Sequence, residues 1–130
     1  MRPLLDTRAL LWWLSDDAQL GQHARDLIAD PANDVLVSVV SLWEIQVKLR
    51  VDKLTADLLG ILKEIEAQAF EVLPISPAHL VHLGTLPAHH KDPFDHLLIA
   101  QAIVGAAIFV FEDRHVQDYA MQVVTCSKSG

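Results

Sequence analysis

The sequence predicts an α/β fold with a central, mostly parallel sheet covered by helices on both faces. Three observations carry this. Short strand-like stretches alternate with helical ones along the chain. The strands are apolar throughout instead of alternating, as burial on both faces requires. The stretches between them are long enough for crossover helices.

The elements follow in order. "PLLD" (3–6) is a short apolar strand ending in an acid, and "TRALLWWLS" (7–15) reads as a helix. "HARDLIAD" (23–30) is a second helix, stopped by Pro31. "VLVS" (35–38) is a β-branched strand. "VVSLWEIQVKLRV" (39–51) is a helix with Ser41, Glu44 and Lys48 on its polar stripe, and Ser41 with Glu44 has capping-box spacing. Residues 56–69 form an amphipathic helix with Leu58, Leu59, Leu62, Ile65 and Ala69 on one face. "EVLPI" (71–75) is a strand, and 77–85 a helix begun by Pro77. "PFDHLLIAQAIVG" (93–105) is a helix closed by Gly105. "AIFVF" (107–111) is a strand, 114–120 a short helix and "QVVT" (122–125) a last strand.

The 130 residues contain no repeat and no linker, so one domain spanning 1–130 is expected. A chain of this size buries roughly two-thirds of its unfolded surface. The 52% hydrophobic content and mean hydropathy of +0.28 exclude disorder. No apolar run approaches the ~18 residues a membrane span needs, so no membrane partner is expected. Cys126 is the single cysteine, so no intrachain disulfide can form and a reducing cytoplasm fits. The formal net charge of −7 opposes nucleic-acid binding by bulk charge. It leaves room for an enzyme that gathers acids around a metal and sets a few cations beside them.

Acids collect where the predicted strands end. Asp6 closes the first strand, Glu44 sits early in the helix after the second, and Asp113 lies just beyond 107–111. Asp95 opens a helix of about 18 Å, long enough to start at the same sheet edge. Each acid also has a plain reading as a cap: Asp6 for the helix at 7, Asp113 for the one at 114. Glu44 to Lys48 is a favourable (i, i+4) pair, and Asp92, Pro93 and Asp95 suit the N-cap, N1 and N3 positions. Together, four carboxylates in one volume repel unless a cation joins them. Oxygen-only ligands select Mg²⁺ or Mn²⁺. His79 and His82 read as a surface pair, and His89 and His90 as loop residues. Trp12, Trp13 and Trp43 read as core or interface. The helix at 7–14 is apolar nearly all round, so part of Leu11, Trp12 and Trp13 is expected to face a partner. No phosphate-binding glycine loop or nucleophile elbow is present.

The stretches "LLDTRALLWWL", "SLWEIQVKL" and "HHKDPFDHLLIAQA", in that order, resemble the PIN-domain toxins of the VapC type. The resemblance covers almost the whole chain. It implies a three-layer α/β/α sandwich and a Mg²⁺- or Mn²⁺-dependent endoribonuclease, a toxin encoded beside an inhibiting antitoxin and dimeric in its complex. It maps the family's acidic set to Asp6, Glu44, Asp95 and Asp113, with Asp6 and Asp95 holding the metal and Glu44 and Asp113 completing the cluster. Asp92 is left as the cap and Thr7 as support. Arg8, Lys91 and Arg114 adjoin these positions and are expected to contact RNA phosphates. Three positions depart from the family pattern: Arg8 replaces a histidine, Phe111 a hydroxyl residue, and His96 an arginine. None removes a metal ligand. Two other readings stay open, a PIN fold that only binds a partner and a receiver-like signalling domain. The second lacks an acid after "VLPI".

Overall fold

The structure is a computed structural model, described here for residues 1–51, 54, 56–87, 92–112 and 123–125. Its elements are β1 (Pro3–Leu5), α1 (Thr7–Leu14), α2 (Gln22–Ala29), β2 (Leu36–Ser38), α3 (Val39–Arg50), α4 (Leu58–Ala67), β3 (Glu71–Leu73), α5 (Pro77–Leu83), α6 (Pro93–Val104), β4 (Ile108–Phe111) and β5 (Val123–Thr125). The helix expected at 114–120 lies outside the described residues.

The sheet has the order β3-β2-β1-β4-β5, and every pairing is parallel. Leu4 pairs with Leu36 on one side and Phe109 on the other; Leu5 pairs with Val37 and Val110. Because side chains alternate along a strand, this register sorts them into two cores. Leu4, Leu36, Phe109 and Phe111 meet Leu97, Leu98 and Ile99 of α6 on one face. Leu5, Val37 and Val110 meet α1, α2 and α4 on the other, through Leu10, Ala24, Ile28, Ile61 and Ile65. These are the three layers the sequence leads one to expect. From β1 the chain steps outward to β2 and β3, then returns to β4 on the other side of β1. The strand order therefore reverses between β1 and β4, and ligands bind beyond the carboxyl ends of strands at such a point.

Two helices turn differently from the sequence reading. In α4, Ile61 and Ile65 are buried, whereas Leu59 and Leu62 are exposed and Ala69 lies beyond the helix with φ 58°. The seat of α4 against the α1–α2 side decides which of its apolar stripes is used. In α3, Ser38, not Ser41, is the N-cap: its Oγ accepts from the Val40 N–H. Ser41 and Glu44 of the expected polar stripe are buried, while Trp43 stands 53% exposed, edge-on to Phe94 with ring centroids 4.8 Å apart. Trp43 is thus not a core residue. The polar stripe faces inward because α3 runs past the ends of β1 and β4, where polar groups line a cleft.

Helix α5 brings a further correction. His79 is buried, and its Nδ1 accepts from the Ser76 N–H at 3.0 Å, so it closes a capping box instead of forming a surface pair with His82. The three-helix junction behind it is polar. Gln101 of α6 accepts from Ser38 Oγ and donates through Nε2 to the Pro74 carbonyl at 3.3 Å, with His79 Nδ1 3.4 Å away. Trp12, Trp13 and Leu11 are partly buried against the α1-side core, and Trp13 Nε1 donates to Gln68 Oε1 at 2.6 Å. Their surplus apolar surface is accordingly smaller than the sequence suggests.

Candidate active site

A cleft of about 650 Å³ opens at the carboxyl ends of β1 and β4. Asp6, Glu44, Asp92 and Asp95 line it, with Asp17 and Glu112, and Arg8 and Lys48 are the cations among its described residues. Three chain segments supply Asp6, Glu44, Asp92 and Asp95, each for a local reason. Asp6 follows β1 and N-caps α1, its Oδ1 accepting from the Ala9 N–H at 2.7 Å. Glu44 comes two turns into α3, and the return of α6 brings Asp92 and Asp95 to the same edge. Asp92 is the α6 N-cap: its Oδ1 accepts from the N–H groups of Phe94 and Asp95, at 2.9 and 3.2 Å. Asp92 is thus the cap expected from the sequence; Asp95 lies in the first turn of α6, and both line the cleft.

Asp6 is strongly perturbed. It is buried, and its Oδ2 accepts from the Glu112 N–H at 2.9 Å. Burial pushes its carboxyl up to about 6, with smaller contributions from the negative charges of Glu112 and Glu44; its two backbone hydrogen bonds oppose the rise. Neither of its oxygens meets a cationic side chain among the described residues. Glu44 is held differently. Its Oε1 accepts from Thr7 Oγ at 2.7 Å and its Oε2 from Lys48 Nζ at 2.8 Å.

A buried carboxylate short of positive charge, set in an oxygen-rich cleft, suits a hard divalent cation. Among the described residues, however, no three His, Cys, Asp or Glu side chains are gathered closely enough to hold an ion by themselves. The fourth expected acid, Asp113, lies outside the described residues, as do Lys91 and Arg114. Arg8 stands at the rim, its Nε 4.0 Å from Glu112 and its guanidinium 5.9 Å from the centre of the Trp12 ring.

Two cleft residues escaped the sequence reading. Glu112 looked like the acid beside the candidate Asp113, yet its backbone fixes Asp6 and its charge raises it. Asp17 sits in an ordinary post-helical turn, and no sequence signal marks it. Phe111, one of the departures from the family pattern, is buried and stacked on Phe109 at 5.8 Å. It therefore belongs to the α6-side core.

A fold and cleft of this kind define a class, and the comparisons agree. The PIN domain model matches residues 4–121. The chain belongs to the PIN domain family. Its fold is that of proteins solved in toxin–antitoxin complexes. VapBC2 from Rickettsia felis, bound to a DNA fragment from its promoter, aligns with TM-score 0.74 at 16% identity over 95% of this chain and 98% of that one. DNA-bound VapBC from Salmonella typhimurium aligns with TM-score 0.69 at 15% identity, over 95% and 97%. VapBC-5 from Mycobacterium tuberculosis aligns with TM-score 0.62 at 24% identity, over 95% of each chain. No curated protein sequence matches the chain. No helix among the described residues is long and apolar enough to cross a membrane.

Proposed function

We propose that this chain is a single-domain, VapC-type toxin, a Mg²⁺- or Mn²⁺-dependent endoribonuclease of the cytoplasm. The observation that carries the reading is Asp6: buried, unmatched by a cation among the described residues and placed at the switch point of a PIN sheet. Asp6 and Asp95 would hold the metal, with Glu44 and Asp113 completing the set. The bound ion would supply charge stabilisation at a phosphoryl oxygen and a water acidic enough to deprotonate near neutral pH. The residues of this chain do the rest. The Ala9 and Glu112 N–H groups orient Asp6, and Thr7 and Lys48 orient Glu44. Arg8 at the rim, with Lys91 and Arg114, would grip flanking phosphates and set the strand across the cleft. An antitoxin partner is supported by the VapBC complexes among the structural neighbours, and a homodimer would complete the assembly.

The test is incubation of the purified chain with total RNA, with Mn²⁺, with Mg²⁺ and with EDTA, followed by mapping of cleavage ends. Defined ends that require metal and vanish in Asp95→Asn support the reading. Intact RNA in every condition, with the chain folded, would leave a PIN fold that serves only to bind a partner. Asp92→Asn offers a sharper check. Asparagine caps nearly as well as aspartate, so this variant is expected to keep cleavage within about twofold and stability within a few tenths of a kcal/mol. Complete loss of cleavage would make Asp92 more than a cap.

A further inference from the structure

The (i, i+4) pair of Glu44 and Lys48 is ordinary in sequence and unusual in place. On a solvated helix face such a pair contributes roughly 0.2–0.5 kcal/mol and holds neither partner firmly. Here the Glu44 side chain is 8% exposed and that of Lys48 42%, and both line the acidic cleft. With Thr7 on Oε1 and Lys48 on Oε2, each oxygen of Glu44 already has a donor. Asp6, whose ionised form Glu44 disfavours, meets no cationic side chain among the described residues. Among the described residues the acidic wall thus carries one ammonium group, tethered to α3 by a flexible stem that is partly exposed.

We propose that Lys48 is a tethered counter-cation, which holds Glu44 while the cleft lacks a metal and competes with the divalent ion for it. The inference rests on the metal-dependent reading given above. An ion entering among these carboxylates must share Glu44 Oε2 with the ammonium or displace it. Even when displaced, Lys48 leaves a like charge nearby. Lys48 is in this sense a positioning residue that sets metal affinity, not a ligand. A unit charge ~10 Å from a divalent ion changes the ion's affinity by about tenfold at an effective dielectric of ~50, between that of a protein surface and that of water.

The experiment is Mn²⁺ binding by calorimetry to the full chain, its Lys48→Met and Lys48→Gln variants and Lys48→Arg, at one pH and ionic strength, with melting curves in EDTA. Both neutral variants are expected to bind Mn²⁺ about tenfold more tightly than wild type and to melt lower in EDTA. Lys48→Arg, which keeps the charge, is expected to stay within about twofold. Equal or weaker Mn²⁺ binding by both neutral variants, against measurable wild-type binding, overturns the inference alone. A wild-type chain that binds no Mn²⁺ overturns the metal-dependent reading and this inference with it.

Discussion

Asp6→Asn is expected to lower RNA cleavage by about 10²–10³-fold and yet to raise the melting temperature in EDTA at neutral pH. The two effects have one cause. Asp6 is buried with its carboxyl pushed up to about 6 from the ordinary 3.8. A raised carboxyl binds its proton more tightly in the fold than in the unfolded chain. The stability due to the neutral form is fully present below 3.8 and is lost as the pH rises through about 6. Ionised Asp6 thus costs the metal-free fold up to about 3 kcal/mol at neutral pH. Asparagine removes that cost and keeps an oxygen for the Ala9 N–H. It also turns an amide nitrogen toward the Glu112 N–H, which takes back about 1–2 kcal/mol. The net gain is about 1 kcal/mol, or roughly 4 °C for a domain of this size. It should reverse on acidification to about pH 4, where folded wild-type Asp6 is neutral and costs little while the loss at the Glu112 N–H remains. Melting curves in EDTA across that range check the sign. A variant that melts lower than wild type at neutral pH and still cleaves RNA would remove Asp6 from the proposed site.

The second large effect is expected far from any carboxylate. Gln101→Leu should lower stability by about 2–4 kcal/mol, a drop of roughly 10 °C in melting temperature. Gln101 is 1% exposed and joins three elements: the β2–α3 junction through Ser38 Oγ, the β3–α5 connection through the Pro74 carbonyl, and α5 beside His79. Leucine fills a similar volume but leaves the Ser38 hydroxyl and the Pro74 carbonyl without this partner, and burial makes each such loss expensive. Because α3 carries Glu44 and α6 carries Asp95, the loosened junction should also weaken cleavage well below the melting transition. Thermal melts and cleavage rates on the same preparations test both. A melting temperature within 2–3 °C of wild type, about the shift from 0.5 kcal/mol, would show that this network contributes little.

The departures between sequence reading and structure share a physical origin. Apolar strands leave little choice: Leu4 and Leu5 alternate, so a parallel sheet with two covered faces was legible before any coordinates. Caps were legible where a single turn decides them, as at Asp92, whose side chain needs only the next two or three N–H groups. Helix orientation was not legible where a helix has more than one face it can bury. Leu59 and Leu62 continue the apolar stripe of α4 by count, yet they are exposed, and Ile61, outside that stripe, joins the expected Ile65 in the core. Ser41 and Glu44 look like a solvated stripe until α3 is laid across the strand ends, where Trp43 turns outward instead.

The sequence by itself determined the alternation of strands and helices, the acids that end β1 and open α6, and the family to which those motifs belong, because local periodicity and short-range hydrogen bonding set each of these. The tertiary structure alone decided that Asp6 is buried beside the Glu112 backbone, that Thr7 shares Glu44 with its (i, i+4) partner Lys48, and that His79 and Gln101 close a buried polar junction. Those partners stand 106, 37 and 22 residues apart along the chain for Asp6–Glu112, Thr7–Glu44 and His79–Gln101. No local pattern encodes such a meeting. The order β3-β2-β1-β4-β5 brings the strand ends together, and desolvation at that edge turns an ordinary capping acid, Asp6, into one whose charge is costly without a cation.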